Sequence, residues 1–224
     1  MKSGHNMQQR GLFDDLLDEG SNQDTPNSAP ANPIPSPIAG LKYVPDFIDQ
    51  TKHDQLLMQV DSGPWLSDLK RRVQHYGYKY DYKSRHVNYN MRLGPLPDWA
   101  AELADILCEC EIAPERPDQL IVNEYLPGQG IANHIDCVPC FTGTIISLSL
   151  GSSCVMDFTN KETRAKVPLL IEPRSLVVLQ GNARYDWLHG ISSRKSDQFE
   201  GKTIQRRRRV SLTFRKVIVD TTQG

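Results

Sequence analysis

From Gln119 onward the chain breaks into short β-rich runs, and this pattern most narrows the folds open to it. "QLIVNEY", "IANHID", "TIISLSL", "SCVMDF", "AKVPLLIE", "SLVVLQ", "YDWLHGI" and "RRVSLTFRKVIV" follow one another, mostly separated by Gly, Pro, Asn or charged turns. About eight short strands in roughly one hundred residues predict an antiparallel sandwich or jelly roll. Helices are expected ahead of them. "LPDWAAELADILCEC" places Pro97 in a first turn and repeats Trp99, Leu103, Ile106, Leu107 and Cys110 at helical spacing. A shorter helix is expected around residues 51–60. The fold class is mainly β with flanking α.

A chain of 224 residues, 38% hydrophobic and 24% charged, has room for one domain with a real core. Residues 1–38 differ: "SNQDTPNSAPANPIPSPIAG" has little to bury and predicts a disordered tail, leaving residues 39–224 as the domain. The net charge of −1 means that nucleic-acid binding would have to come from local patches. No apolar run approaches a membrane span and the N-terminus has no apolar signal region, so the expectation is a cytoplasmic monomer without a membrane partner. Five cysteines favour free thiols in a reducing compartment.

"IANHID" ends on His134 and Asp136. In a strand, alternate residues share a face, so this imidazole and carboxylate would point together while Ile135 turns into apolar packing. One further histidine would complete two imidazoles and a carboxylate on one face of an octahedral metal, the set that suits non-haem Fe(II). His189 in "YDWLHGI" is the candidate. The others fall elsewhere: His5 in the tail, His53 in an expected exposed helix, His75 and His86 in a basic segment. An H-x-D alone is equally compatible with hydrogen-bonded structural residues. In "RVSLTFR", Arg209 and Arg215 share a strand face with Ser211 and Thr213, and Val210, Leu212 and Phe214 form the apolar face. Inward arginines need anionic partners, and a guanidinium grips a carboxylate in two-point fashion. Asn123 and Tyr125 share a face upstream. An exposed edge strand with solvated arginines is the other reading.

Together, "VNEY", "PGQGIANHID", "SLSLGSSCVMDF", "SLVVLQGNARYDWLHGI" and "RVSLTFR" resemble the AlkB family of Fe(II)- and 2-oxoglutarate-dependent dioxygenases, over roughly residues 39–219. The resemblance implies a double-stranded β-helix (a cupin-like jelly roll), with helices and a nucleotide-recognition lid ahead of it. It implies His134, Asp136 and His189 as iron ligands, and Asn123, Tyr125, Arg209, Ser211 and Arg215 as contacts to 2-oxoglutarate. It also implies that O2 and 2-oxoglutarate are consumed, releasing succinate and CO2, while a substrate C–H is hydroxylated. A hydroxylated N-alkyl group then collapses to an aldehyde.

The lid is expected at about residues 70–92. This segment has five of the eight tyrosines, seven Lys or Arg and one acid, Asp81. Tyr76, Tyr78, Tyr80 and Tyr82 alternate as a strand stripe would, and Arg72 and Arg85 add charge. Basic residues track phosphates and aromatics stack on unpaired bases; a structural hairpin with a solvated face is the alternative. A second basic run, "RKSDQFEGKTIQRRRR", precedes the arginine strand.

Oxidative dealkylation of alkylated bases is the first functional expectation. Hydroxylation of a modified wobble uridine in tRNA is the second, because Val138 and Ser211 depart from the base-repair members of the family. A protein-directed oxygenase or a non-catalytic binding module is the third. Cys137 and Cys140 read as oxidation-prone neighbours of the metal site, and Cys108 and Cys110 are too closely spaced on a helix to share zinc with them. In the tail, Gln9, Leu12 and Phe13 of "QRGLF" resemble the short motifs that bind a DNA sliding clamp.

Overall fold

The computed structural model describes residues 1, 33–67, 69–82 and 84–219, so the clamp-like tail motif at Gln9, Leu12 and Phe13 lies outside the described residues. The elements are β1 (Leu41–Val44), α1 (Gln50–Ser62), β2 (Val73–Tyr76), a 3-10 turn (Tyr89–Met91), α2 (Asp98–Glu109), β3 (Gln119–Tyr125), β4 (Ile131–His134), β5 (Phe141–Gly151), β6 (Cys154–Asn160), β7 (Lys166–Ile171), β8 (Leu176–Leu179), α3 (Gly181–Tyr185), β9 (Trp187–Ile191), β10 (Ser196–Phe199), β11 (Lys202–Gln205) and β12 (Arg209–Val217). A six-stranded sheet runs β1-β8-β5-β12-β3-β2, a four-stranded sheet runs β4-β9-β6-β7, and β10–β11 form a separate hairpin. All of these pairings are antiparallel. The jelly roll expected from the strand pattern is the observed fold.

Strand alternation divides the large sheet into two chemically different faces. Leu120 and Val122 of β3, Ile146, Leu148 and Leu150 of β5, and Val210, Leu212 and Phe214 of β12 face the helices. There they meet Leu56 and Val60 of α1 and Ala100, Leu103, Ala104 and Leu107 of α2, each set at helical spacing. Asp49 starts α1 by accepting a hydrogen bond from the Lys52 amide at 2.7 Å. The opposite face looks into a cavity closed on its far side by the small sheet.

Four local expectations need correction. His53 is not exposed. It is 7% accessible, and its Nε2 accepts the Gly151 amide at 3.0 Å, so the β5 end recruits it into the core. Cys110 is the exposed C-cap of α2 rather than part of its apolar stripe, and Pro97 is the N-cap, one residue outside the helix. Cys137 and Cys140 are not free thiols but a disulfide, because the tight turn between them brings their Cα atoms to 5.3 Å.

Candidate metal and cosubstrate site

The small sheet brings the two histidines together by register. β4 pairs with β9 so that His134 stands opposite His189, with ring centroids 4.4 Å apart. Gly190 permits this approach: a Cβ there would lie 2.2 Å from Asn133 Oδ1 and 2.9 Å from the Asn133 amide nitrogen. β4 ends at His134, so Asp136 is not on the strand as expected, and Ile135 is a half-buried part of the cavity wall. Asp136 is turned inward by arginines instead. Arg215 Nε and Nη2 both donate to its Oδ1, at 2.9 and 2.6 Å. Arg184, 1% accessible, donates to the backbone oxygens of Asp136 and Cys137 at 2.9 and 3.2 Å. Oδ2 is left facing His189 Nε2 at 3.5 Å.

The three side chains offer ligand atoms all within 4.8 Å of one another. The Ala132 carbonyl, 2.9 Å from His134 Nδ1, can only accept, so Nδ1 donates to it and Nε2 is the ring nitrogen left for a ligand role. Burial works to raise the Asp136 carboxyl, but the charge of Arg215 and, less strongly, the imidazoles hold it well below the carboxylate range. Burial, with His134 beside it, pushes the His189 imidazole down to about 4. At neutral pH the group is therefore one ionised carboxylate and a neutral His189, the ligand form a divalent cation requires.

Beside this cluster, the inward face of β12 carries Arg209, Ser211, Thr213 and Arg215 into a cavity of about 560 Å³. These residues are buried on the central strand, not solvated at an edge. Arg209 is 3% accessible, donates to Ser149 Oγ at 2.8 Å and lies over the Tyr125 ring at 5.5 Å. Its Nε has no partner, and among the described residues no carboxylate pairs with it. A buried cation in this state calls for an anionic ligand. Ser211 Oγ is 2.8 Å from Ser147 Oγ, and Asn123 and Tyr125 line the same wall.

The model of the 2OG-Fe(II) oxygenase superfamily matches residues 40–215. The "Probable RNA/DNA demethylase ALKBH6" of Danio rerio is 30% identical over 204 residues, covering 78% of this chain and 84% of the relative. The chain belongs to the AlkB family of Fe(II)/2-oxoglutarate dioxygenases. This AlkB-family chain is also 39% identical over 203 residues to the "Alkylated DNA repair protein ALKBH8 homolog" of Arabidopsis thaliana, covering 80% of this chain and 59% of the relative. It is 38% identical over 205 residues to the "tRNA (carboxymethyluridine(34)-5-O)-methyltransferase ALKBH8" of Mus musculus, covering 80% and 30%. It therefore spans under two thirds of the Arabidopsis relative and under one third of the mouse one. Among solved structures, OsALKBH1 superposes with a TM-score of 0.60 at 17% identity, covering 83% of this chain and all of that one, and shares the fold.

The AlkB-family enzyme uses Fe(II), with 2-oxoglutarate and O2 as cosubstrates. Its residues fit both. The clustered His-Asp-His group suits the metal, and the buried Arg209, with no carboxylate partner among the described residues, suits a dicarboxylate.

The lid residues divide in a way the sequence pattern did not foresee. β2 ends at Tyr76, and among the described residues beyond it the lid is organised by isolated bridges, Tyr78 to Arg92 and Asp81 to His86, and one 3-10 turn. The expected tyrosine stripe is therefore split. Tyr76 packs edge-on against Trp99 at 5.7 Å and Tyr78 is buried, both away from the cavity lining. Tyr80 and Tyr82 do line the cavity, with ring centroids 5.0 Å apart. Arg85 lines it too, but Arg72 does not. Arg72 lies 4.6 Å over Trp65 and pairs twice with buried Glu124, at 2.6 and 2.7 Å. Its neighbour Arg71 turns to the other side of β3, donates to Asn123 Oδ1 at 2.9 Å and faces the Tyr82 and Tyr125 rings at 6.0 and 5.7 Å. The basic run before β12 is likewise partly internal: Arg206 is buried against Asp197, at 2.5 and 2.6 Å, and Arg208 pairs with Glu124.

Sequence reasoning missed Arg71 and Arg184. The pairing of β2 with β3, Val73 opposite Asn123, was the missing signal for Arg71. Nothing in "GNARYDW" marks Arg184 as an internal clamp.

Proposed function

We propose that this enzyme oxidises a C–H bond of a modified nucleobase presented in a single-stranded or loop region of nucleic acid. In this reading His134, Asp136 and His189 hold the iron, and Asn123, Tyr125, Arg209, Ser211 and Arg215 receive 2-oxoglutarate. The carrying observation is the cavity: Tyr80 and Tyr82 line it together with the His-Asp-His group, and Lys70, Arg71 and Arg85 add positive charge to the lining. An aromatic slot with basic walls suits a base taken out of its stack and the phosphates flanking it.

Bound iron supplies the activation of O2 with 2-oxoglutarate that leads to hydroxylation. The chain supplies the rest. Arg215 keeps Asp136 ionised and fixed, Arg209 orients the cosubstrate, and Ile131, Ile135, Met156 and Ile191 form an apolar wall that keeps water out. Hydroxylation of an N-alkyl carbon ends in release of an aldehyde; hydroxylation of a carbon-linked substituent leaves a stable alcohol.

Charge favours the second outcome. The lining has five cationic side chains, Lys70, Arg71, Arg85, Arg209 and Arg215, against one carboxylate, Asp136. A divalent iron and a dianionic cosubstrate together leave that balance unchanged. A base made cationic by methylation on its pairing edge would enter a positive field, and Val138, exposed at the turn after Asp136, brings no compensating carboxylate. An uncharged uridine with a neutral or acidic substituent meets no such penalty. Hydroxylation of a modified wobble uridine in tRNA is thus the reading supported best, and the tRNA carboxymethyluridine in the mouse relative's name is in keeping with that substrate. Dealkylating repair is the second reading, favoured by the names of the Arabidopsis and Danio relatives.

Nucleoside mass spectrometry after aerobic incubation with Fe(II) and 2-oxoglutarate separates them. Total tRNA should gain one oxygen on a wobble uridine. Single-stranded DNA carrying 1-methyladenine and 3-methylcytosine should keep its methyl groups; their loss would reverse the order.

A further inference from the structure

The disulfide lies where the metal-ligand turn meets the lid. Cys137 directly follows Asp136 and lines the cavity; Cys140 closes the turn, and the two are 6% and 3% accessible. The carbonyl oxygen of Arg85, in the lid, sits 3.2 Å from the Cys137 sulfur and 3.4 Å from the Cys140 sulfur. The Arg85 guanidinium reaches back to the Ile135 carbonyl at 3.5 Å. Arg184 holds the turn from below through the Asp136 and Cys137 carbonyls. The lid therefore rests on the sulfurs, and the turn beneath them is held by a buried arginine.

We propose that Cys137 and Cys140 form a thiol–disulfide exchange site whose reduction tethers the lid to the metal-ligand turn. In the disulfide neither sulfur has a hydrogen, so the Arg85 carbonyl faces two atoms that cannot donate to it. A dithiol reductant transfers two electrons and two protons: its own sulfurs join, the Cys137–Cys140 bond breaks, and two thiols result. Each thiol then offers an S–H within reach of the Arg85 oxygen. The lid already rests on the turn in the disulfide form, and reduction adds a hydrogen bond that holds it there more tightly. The inference rests on the nucleobase reading only for what the lid closes over.

The test is hydrogen exchange on the full-length, metal-free chain, oxidised in air or reduced with dithiothreitol, with the thiol state read by alkylation and mass spectrometry. Reduction should slow amide exchange across residues 84–88 by roughly two- to tenfold, the size of an ordinary hydrogen bond. The Cys137→Ser/Cys140→Ser protein, whose hydroxyls can donate, should exchange slowly in air. The Cys137→Ala/Cys140→Ala protein should exchange like the oxidised form under both conditions. No disulfide in air, unchanged or faster lid exchange on reduction, or an alanine protein that matches the reduced form would each overturn the proposal. None of these readouts involves substrate, so a wrong nucleobase assignment would leave them unchanged and would show only in the nucleoside assay.

Discussion

On the cavity wall, His134 meets His189 because two strands are in register, and Arg209, Ser211 and Arg215 point inward because β12 alternates between β3 and β5. In the lid, the described residues of 77–92 have two isolated bridges and a single 3-10 turn, and side chains such as Arg71 and Arg72 fasten its root to β3. The wall places its two histidines and the β12 side chains by backbone hydrogen bonding, which a side-chain change barely moves; Asp136 alone is aimed by arginine side chains. The lid places its aromatics and charges through side-chain contacts that single substitutions can alter. In the proposed function, oxidation chemistry belongs to the wall and substrate choice to the less constrained segment.

The largest expected effect is on the wall. Asp136→Ala removes a candidate ligand and leaves Arg215 buried without its partner. Succinate formation should fall below detection, and denaturant unfolding should show a loss of about 3–5 kcal/mol. Arg209→Met should act differently. The KM for 2-oxoglutarate should rise by roughly 30-fold or more, the scale of a lost buried charge pair. The metal-free protein should lose no stability, since Arg209 has no carboxylate partner among the described residues. Should Arg209→Met destabilise the protein as Asp136→Ala does, the wall would be a structural ion-pair array rather than a cosubstrate seat.

The lid should divide between its two arginines. Arg71→Met should raise the KM for nucleic acid by roughly tenfold, as for a lost charge-assisted hydrogen bond, and change the KM for 2-oxoglutarate less. Arg72→Met should do the reverse, lowering the melting temperature slightly because Glu124 keeps Arg208, with little effect on the KM for nucleic acid. Equal effects of the two would erase the distinction between the two sides of β3.

The smallest effect is with pH. The folded state lowers His189 from its ordinary 6.5 to about 4, so the unfolded chain binds the extra proton between those values. The melting temperature of the metal-free protein should be level in this respect above about pH 6.5 and fall as pH drops toward about 4. Asp136, held below its ordinary range, adds a further loss only at lower pH. His189→Gln should flatten the upper part of the profile.

The sequence made the wall readable because period-two alternation translates directly into faces. Val210, Leu212 and Phe214 pack under the helices, and Arg209, Ser211 and Arg215 enter the cavity, as the spacing implied. It misplaced Asp136 because a strand end cannot be read from alternation, and the residue is aimed by Arg215 and Arg184 rather than by a pleat. The tyrosines failed as a stripe for the same reason: alternation continued in the sequence after pairing had stopped at Tyr76. Arg72 and Arg71 are indistinguishable by composition, and only the β2–β3 register decides which faces inward. The Cys137–Cys140 bond was hidden because a C-x2-C turn serves thiols, metals and disulfides alike.

The central claim is that His134, Asp136 and His189 hold iron beside a 2-oxoglutarate seat, and anaerobic absorption spectroscopy tests it most directly. Fe(II) and 2-oxoglutarate added together should give a weak visible charge-transfer band with the unaltered protein and none with His189→Ala. An undiminished band in His189→Ala would contradict the assignment.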